Sequence, residues 1–199
     1  INAIQIREAV DETGINLAKA TPEEIEQMCE VLLRVSKPMI IAANKADQAS
    51  EANLASLKEL GAVPTIAAGE LALKSAAQAK ILRYLPGDGT FAPIEGAKLS
   101  APQLKALTMI AENMKKFGGT GVQEALNTLV FEEIGMIVVY PVEDDNKCCN
   151  AKGVVLPDAF LMPKGSTPKD LAFRVHTDIG NGFLYAVDAR TKMRIKDST

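Results

Sequence analysis

The chain has 199 residues, of which 47% are hydrophobic and 24% charged, a composition typical of a globular protein with one large domain or two small ones. The formal net charge is −3 and no block of five like charges occurs, so the overall charge does not indicate binding to nucleic acid or to a membrane. Residues 160–199 are mildly basic, with seven Lys or Arg and four Asp or Glu, and we interpret them as a solvated face.

The cysteines and the start of the sequence bear on the compartment. Cys29, Cys148 and Cys149 form no Cys-x-x-Cys pair, and the two adjacent cysteines are poorly placed to bond with each other or to share a tetrahedral metal. No apolar run reaches the roughly 18 residues of a membrane span, and the first residues lack a signal peptide. We predict a cytoplasmic protein with reduced thiols and no membrane partner. Because Ile1 already lies inside a helical pattern, we expect a cut at this end.

Helix signals dominate residues 1–36. A capping box at residues 21–24, with proline at the first helical position, opens a helix that ends before Lys37. The apolar residues 39–43 then predict a short strand that is buried on both faces of a parallel sheet, and a polar cluster follows it directly.

Two further helices and a second strand complete this α/β region. Ser50 is expected to cap a helix that closes at Gly61, after which residues 62–68 predict a strand and residues 70–84 an alanine-rich helix. The alternation of helix and strand predicts a parallel sheet with right-handed crossovers. Since two strands cannot cover three helices, we expect partner strands upstream of Ile1.

The pattern changes in the second half of the sequence. Residues 86–98 are rich in Gly and Pro and predict a linker. Capping boxes that begin at Ser100 and Thr120 predict a helical hairpin. From residue 136 onwards the pattern predicts an α+β domain with a helix capped at Thr167 and strands at residues 136–142, 154–162 and 182–187, the second of them interrupted by Pro157.

The polar cluster at residues 44–47, Asn-Lys-Ala-Asp, carries the functional signal. Guanine differs from adenine in its N1–H and exocyclic amine, which need an acceptor, and a second contact is required at N7 and O6. Asp47 is placed for the first requirement and Asn44 for the second. Both follow a predicted strand, and ligands of open α/β sheets bind beyond the carboxyl ends of the strands. The cluster therefore predicts guanine recognition.

Neighbouring groups can complete such a site. Lys45 can lay its aliphatic stem across the purine ring. The second predicted strand ends at Ala67 and Ala68, where a backbone N–H can reach guanine O6 without any particular side chain. The alternative is that Asn44 and Asp47 merely cap the helix that follows.

A phosphate-binding loop of the form Gly-x-x-x-x-Gly-Lys-[Ser/Thr] does not occur in the sequence. The glycine-rich residues 87–89 and 118–121 lack the lysine and a preceding strand, so we interpret them as a turn and a helix break. We therefore expect that this chain alone does not hydrolyse GTP. Mg²⁺ is expected only together with the missing phosphate-binding half.

These motifs make the sequence resemble a known family. Residues 37–47 (Lys-Pro-Met-Ile-Ile-Ala-Ala-Asn-Lys-Ala-Asp), 140–142 (Tyr-Pro-Val) and 164–178 (Lys-Gly-Ser-Thr-Pro-Lys-Asp and onwards) are similar to the archaeal GTP-binding proteins of the Obg/YchF group that carry a C-terminal TGS domain. The likeness covers essentially the whole chain. It implies half of an α/β P-loop NTPase (G) domain, then a helical hairpin and an α+β, TGS-like domain of ubiquitin-like β-grasp form.

The resemblance also implies a domain organisation and ligands. The implied segments are a helical insertion of the G domain (1–36), the half of the G domain with the guanine motif (37–86), a linker with the helical hairpin (87–135), and a TGS-like domain that lacks its last strand (136–199). The implied ligands are GTP and GDP. A TGS domain implies contact with the ribosome or RNA, for which the basic candidates are Lys164, Lys169, Arg174, Arg190, Lys192 and Arg194.

The sequence departs from the family at one position of the second guanine motif. Ile66 stands where the family usually has a serine that supports the aspartate, so that support is expected to be missing. The YchF branch, which is associated with ATP, departs from the Asn-Lys-x-Asp pattern, whereas Lys45 and Asp47 put this chain on the guanine side. The only histidine, His176, is interpreted as a packing or capping residue, and the Asp144-Asp145 pair as a turn.

Two other functions remain open on the sequence alone. The chain can be a non-catalytic adaptor, in which a TGS-type module on a degenerate scaffold binds RNA or protein. It can also be a thiol- or metal-dependent enzyme that uses Cys148 and Cys149.

Overall fold

The computed structural model describes residues 1–97 and 99–196, which form two compact units divided between Leu129 and Val130. The first unit contains α1 (Ala3–Thr13), α2 (Pro22–Ser36), β1 (Ala42–Asn44), α3 (Glu51–Glu59), β2 (Val63–Thr65), α4 (Ala67–Gln78), β3 (Leu82–Arg83), β4 (Ala92–Pro93), α5 (Ala101–Phe117) and α6 (Val122–Asn127). A π-helical turn, Thr128–Glu133, follows α6. The second unit contains β5 (Met136–Val139), β6 (Phe160–Pro163), α7 (Pro168–Val175), α8 (Thr177–Asn181), β7 (Ala186–Val187) and β8 (Arg194–Ile195).

The first two helices pack against each other, and both begin with a capping box. The Thr21 hydroxyl accepts the N–H of Glu24, and the Glu24 carboxylate accepts the N–H of Thr21 at 2.8 Å. The capping box predicted at residues 21–24 is therefore confirmed, and α2 ends at Ser36, one residue before Lys37. None of the helices in the described residues is long and apolar enough to cross a membrane.

The two strands at the centre of the first unit are parallel, as predicted, but short. β1 pairs with β2 so that Asn44 lies opposite Thr65. The prediction that residues 39–43 form a strand buried on both faces is wrong for the described residues, because Met39 is 75% exposed and Ile41 51% exposed. Within the described chain β2 is the one strand that pairs with β1, so the apolar run has little to pack against.

Helix α4 ends at Gln78, earlier than the predicted residue 84. The N–H groups of Lys80 and Ile81 close its last turn on the carbonyls of Ala77 and Ala76, with Lys80 at a φ of 56°. The chain then enters β3, which pairs antiparallel with β4. The predicted linker at residues 86–98 therefore contains a strand, although residue 98 lies outside the described residues.

The core of the first unit lies between α4, β3 and α5. Its buried side chains are Leu73, Leu82, Tyr84, Leu107 and Met114, which pack together. Burying each large aliphatic side chain stabilises the fold by about 1.5–3 kcal/mol. Helix α5 faces this core, whereas α6 lies against β2. The predicted hairpin between these two helices is therefore not supported.

The two capping boxes predicted for α5 and α6 have different outcomes. At Ser100 the box is confirmed, since its hydroxyl accepts the N–H of Gln103 and the Gln103 side chain accepts the N–H of Ser100. At Thr120 the prediction is wrong, because α6 begins after Gly121 without a side-chain cap. The Thr120 hydroxyl donates to Glu70 instead.

The second unit is built from short antiparallel pairs, β5 with β6 and β7 with β8. The strand predicted at residues 154–162 is observed only as β6, because the chain turns at Leu156, which has a φ of 43°, and Pro157 follows. The strand predicted at residues 182–187 is likewise reduced to β7. Helix α7 begins at the predicted cap Thr167. The prediction that the domain lacks its last strand concerns residues 197–199 as well, which lie outside the described residues.

Candidate functional site

The predicted guanine motif directly follows the sheet of the first unit. Asn44 is the last residue of β1, and its partner Thr65 is the last residue of β2. Because the two strands are parallel, the segments that follow them leave the sheet at the same edge. Residues 45–48 and 66–68 therefore lie side by side, as the sequence predicts.

The side chain of Asn44 joins these two segments. Its Oδ1 accepts the backbone N–H of Lys45 at 2.9 Å and that of Ala67 at 3.1 Å. Two donors on one atom identify it as the carbonyl oxygen of the carboxamide, since the nitrogen has no lone pair to offer. The NH₂ group has no hydrogen-bond partner among the described residues and is therefore available as a donor.

Lys45 and Asp47 project from the next turn. Lys45 has a φ of 65°, a left-handed conformation that most residues avoid, and the chain then forms a short 3-10 helix, Ala46–Gln48. Asp47 is exposed, and its carboxylate has no hydrogen-bond partner among the described residues. The helix α3 is capped by Ser50, whose hydroxyl accepts the N–H of Asn53. The alternative that Asn44 and Asp47 serve as its caps is therefore wrong.

Ala46 is the buried member of the motif. It is 3% exposed and packs with Leu54 and Ile66 in a small apolar cluster. Ile66 has no hydroxyl group to support Asp47, as expected from the sequence, but its side chain packs against Ala46 of the motif. Sequence reasoning named Ile66 as a lost contact and missed this replacement.

The sequence predicts that Ala67 and Ala68 end the second strand. This prediction is wrong, because they are the first two residues of α4. The first N–H groups of a helix have no partner within it, so both can in principle bind a ligand. The N–H of Ala67 is already bound by Asn44. The N–H of Ala68 has no partner among the described residues and is thus the better candidate for O6.

A buried polar cluster lies beside these residues, and sequence reasoning missed it. Glu70, in the first turn of α4, is 7% exposed, and its Oε2 accepts the hydroxyl groups of Tyr84 and Thr120, each at 2.6 Å. Burial, and next the hydrogen bond to Glu70, raises the pKa of Tyr84 to about 12. The available sequence signal was an acidic residue three positions before Leu73, on the face that α4 buries.

The six basic residues predicted to contact RNA are distributed over different elements of the second unit. Lys169 and Arg174 lie on α7, and Lys164 directly follows β6. Lys192 and Arg194 contact other side chains of the second unit. The Lys192 Nζ donates to the Oδ2 of Asp145 at 3.0 Å, and the Arg194 guanidinium lies 4.5 Å from the centre of the Tyr185 ring. Arg190 belongs to the turn between β7 and β8, where its N–H binds Asp188.

The other residues considered in the sequence analysis are His176, Asp144 and the two adjacent cysteines. His176 caps α8, because its Nδ1 accepts the N–H of Asp178 at 3.2 Å, so its interpretation as a capping residue is confirmed. Asp144 forms the predicted turn by accepting the N–H groups of Asn146 and Lys147. Cys148 and Cys149 are free thiols, and no group of three His, Cys, Asp or Glu in the described chain could hold a metal ion.

The fold and the site define a class of protein with two domains, in the first of which an Asn-Lys-x-Asp segment follows a parallel strand. A family model described as "Obg-like GTPase YGR210-like, G4 motif-containing domain" matches residues 42–144, and a TGS-domain model matches residues 152–198. The chain belongs to this family of Obg-like GTPases and carries a TGS domain.

Known proteins agree with this assignment. An uncharacterized GTP-binding protein of Methanocaldococcus jannaschii is 44% identical over 200 residues, which are 98% of this chain and 50% of the relative. The crystal structure of a GTP binding protein from Pyrococcus horikoshii OT3 matches with a TM-score of 0.74 at 39% identity, and the match covers 100% of this chain and 54% of that one. The chain thus spans about half the length of the proteins it matches.

Proposed function

We propose that this chain supplies the guanine-reading part and the TGS domain of a GTP-binding protein, with GTP and GDP as its ligands. One observation carries the proposal. Asn44 uses its carbonyl oxygen to bind two backbone N–H groups, which leaves its NH₂ group as a donor, and Asp47, three residues further along the chain, has an exposed carboxylate. The site presents a donor and an acceptor from neighbouring turns.

These two groups match guanine and mismatch adenine. The Asp47 carboxylate can accept the N1–H and the exocyclic amine of guanine, whereas adenine has an unprotonated N1 and no amine at this edge. The Asn44 amide can donate to N7, and the Ala68 N–H to O6. Adenine carries an amine at the position of O6, so it would set one donor against another.

This proposal assigns phosphate binding and hydrolysis to residues outside this chain, which spans about half the length of the proteins it matches. The exposure of Met39 and Ile41 beside β1 supports this assignment, because a further strand on that side would bury them. Mg²⁺ would act together with those residues. The chain by itself is expected not to hydrolyse GTP.

Changing Asp47 to Asn tests guanine reading in the full-length gene product. Asparagine keeps an acceptor for N1–H but replaces the acceptor for the amine by an NH₂ donor, which suits the C2 carbonyl of xanthine. We expect affinity for GDP to fall about 100-fold and affinity for xanthosine diphosphate to rise, as measured by calorimetry. The matched control is Asp158→Asn, at an exposed position of the second unit. Unchanged preference for GDP in D47N would refute the proposal.

For the TGS domain we propose contact with RNA or the ribosome through its basic residues. The stacking of Arg194 on the half-exposed ring of Tyr185 supports this, since such a pair offers a charge and a π-face to a nucleotide. Binding of RNA by the chain, weakened by added salt, is the expected result. Absence of binding at low salt would favour a protein partner.

A further inference from the structure

The guanine loop, defined here as residues 64–68, is attached to the rest of the first unit at several points. The N–H of Ala67 binds Asn44, and the N–H of Ile66 donates to the carbonyl of Thr120 at 2.8 Å. Two consecutive N–H groups are thus fixed by different parts of the chain. Because Ala67 is also the first residue of α4, its helical φ and ψ then set the direction of the next N–H, that of Ala68.

Two residues, Thr120 and Gly121, contact the guanine loop, and we call them the clamp. A Cβ atom on Gly121 would lie 1.9 Å from the carbonyl oxygen of Pro64, so only glycine permits this approach. The run of residues 118–121, interpreted from the sequence as a helix break, therefore has a second role. It brings the Thr120 carbonyl within reach of Ile66.

The clamp is held in turn by the buried carboxylate. The Thr120 hydroxyl and the Tyr84 hydroxyl, 50 and 14 residues away from Glu70 in sequence, both donate to its Oε2. A hydrogen bond requires a particular distance and angle, whereas apolar side chains can shift against each other without loss of contact. The hydrogen bond from Thr120 to Glu70 therefore fixes the position of the clamp relative to α4. Glu70 itself lies in the same helical turn as Ala67 and Ala68.

We propose that Glu70, Tyr84 and Thr120 are positioning residues for guanine recognition, which aim the N–H of Ala68 at O6 and so control discrimination at the 6-position of the base. This inference rests on the proposed function of Asn44 and Asp47. It assigns discrimination at the 2-position to Asp47 alone. The two edges of the base are therefore read by groups that can be perturbed separately.

The test compares three ligands on the full-length gene product by calorimetry. IDP lacks only the exocyclic amine of GDP, and 6-thio-GDP replaces only O6 by sulfur, a weaker and larger acceptor. The ratio of GDP to 6-thio-GDP affinity thus reports on Ala68, and the ratio of GDP to IDP affinity reports on Asp47. In Thr120→Val we expect the first ratio to fall about threefold or more, because the lost contact is one hydrogen bond, and the second to stay unchanged.

Matched variants separate positioning from stability. Thr120→Ser keeps the hydroxyl and should restore the 6-position ratio, while Tyr84→Phe should lower it without any change of shape. Thr108→Val makes the same substitution at an exposed site on α5 and should have no effect. Loss of affinity for all three ligands by one common factor would overturn the inference, because that is what general destabilisation predicts. Equal binding of GDP and IDP by the unaltered protein would instead reject the role of Asp47, while the 6-thio ratio would still test Ala68.

Discussion

The two units differ in what most of their hydrogen-bonded carboxylates connect. In the first unit the buried Glu70 joins segments that are far apart in sequence, through two side-chain hydroxyls. In the second unit the carboxylates of Asp144, Asp170 and Asp188, none of which is buried, each accept backbone N–H groups two or three residues away. Next to the guanine motif the first unit thus has a buried long-range polar cluster, whereas the second unit combines local turns and caps with one long-range ion pair, Lys192 with Asp145.

This difference has consequences for function. A local turn or cap can be lost without displacing distant residues, whereas loss of the Glu70 cluster displaces the clamp and the guanine loop together. We therefore expect stability and ligand selectivity to be coupled in the first unit. In the second unit the same kind of substitution should remain a local event.

Among the substitutions that test this difference between the two units, Gly121→Ala is expected to have the largest effect on stability. The new Cβ would meet the Pro64 oxygen, and alanine is also disfavoured at the φ of 74° found here, so the first unit should lose about 4 kcal/mol. Hydrogen exchange should show loss of protection at the Ile66 amide. The control Gly165→Ala, at a φ of 89° with open space around it, should cost the second unit only about 1 kcal/mol. Equal losses would mean that the close approach has no weight.

An intermediate effect is expected from removing one polar group in each unit. Glu70→Ala leaves two buried hydroxyls without their acceptor and should destabilise the first unit by about 3 kcal/mol. Thr167→Ala removes the cap of α7 and should cost the second unit about 1 kcal/mol. Urea unfolding, with hydrogen exchange to assign each loss to its unit, measures both. A larger loss for Thr167→Ala would reverse the comparison.

The smallest expected effects are those of pH on stability. The first unit should lose stability at alkaline pH and the second unit at acid pH. Burial holds the pKa of Tyr84 at about 12, so its contribution to stability is complete below the unfolded value of about 10 and is lost as pH rises through 12. In the second unit, hydrogen bonds from backbone N–H groups lower the pKa of three carboxyl groups. The largest contribution comes from Lys147 for Asp144, from Thr167 for Asp170 and from Arg190 for Asp188. Their contribution is present above about pH 4 and is lost on acidification below it.

Unfolding free energies at pH 9 and 11 check the alkaline limb. The loss between these values should be smaller in Tyr84→Phe than in the unaltered protein. The acid limb is checked by hydrogen exchange of the second unit between pH 5 and 3, where Asp170→Asn should reduce the dependence on pH. An alkaline loss that is the same with and without the Tyr84 hydroxyl would contradict the assignment.

Local signals in the sequence predicted local structure well. The caps at Thr21, Ser100 and Thr167 were confirmed because both partners of each capping box lie within one helical turn. The position of residues 44–47 after a parallel strand was also predictable, since it needs only the order of strand and polar cluster. The resemblance to Obg-like GTPases with a TGS domain was confirmed by the family matches.

Features that depend on contacts between distant parts of the sequence were not predicted. The capping pattern at Thr120 was outcompeted by Glu70, 50 residues away, which no local pattern reveals. Strand lengths were overestimated because an apolar run forms a strand only as far as a partner accompanies it. The strand β4 was hidden in a Gly- and Pro-rich segment for the complementary reason, since its partner β3 lay inside a predicted helix.

Ala46 and Ile66 fill a single small volume between the guanine motif and Leu54. The residue between Lys45 and Asp47, which the motif leaves unspecified, is therefore limited in size by the residue at position 66. A larger side chain at 46 would demand a smaller one at 66, and the reverse. Among relatives of this chain the two positions should covary in volume, so that the base-reading turn keeps its distance from helix α4 while its sequence drifts.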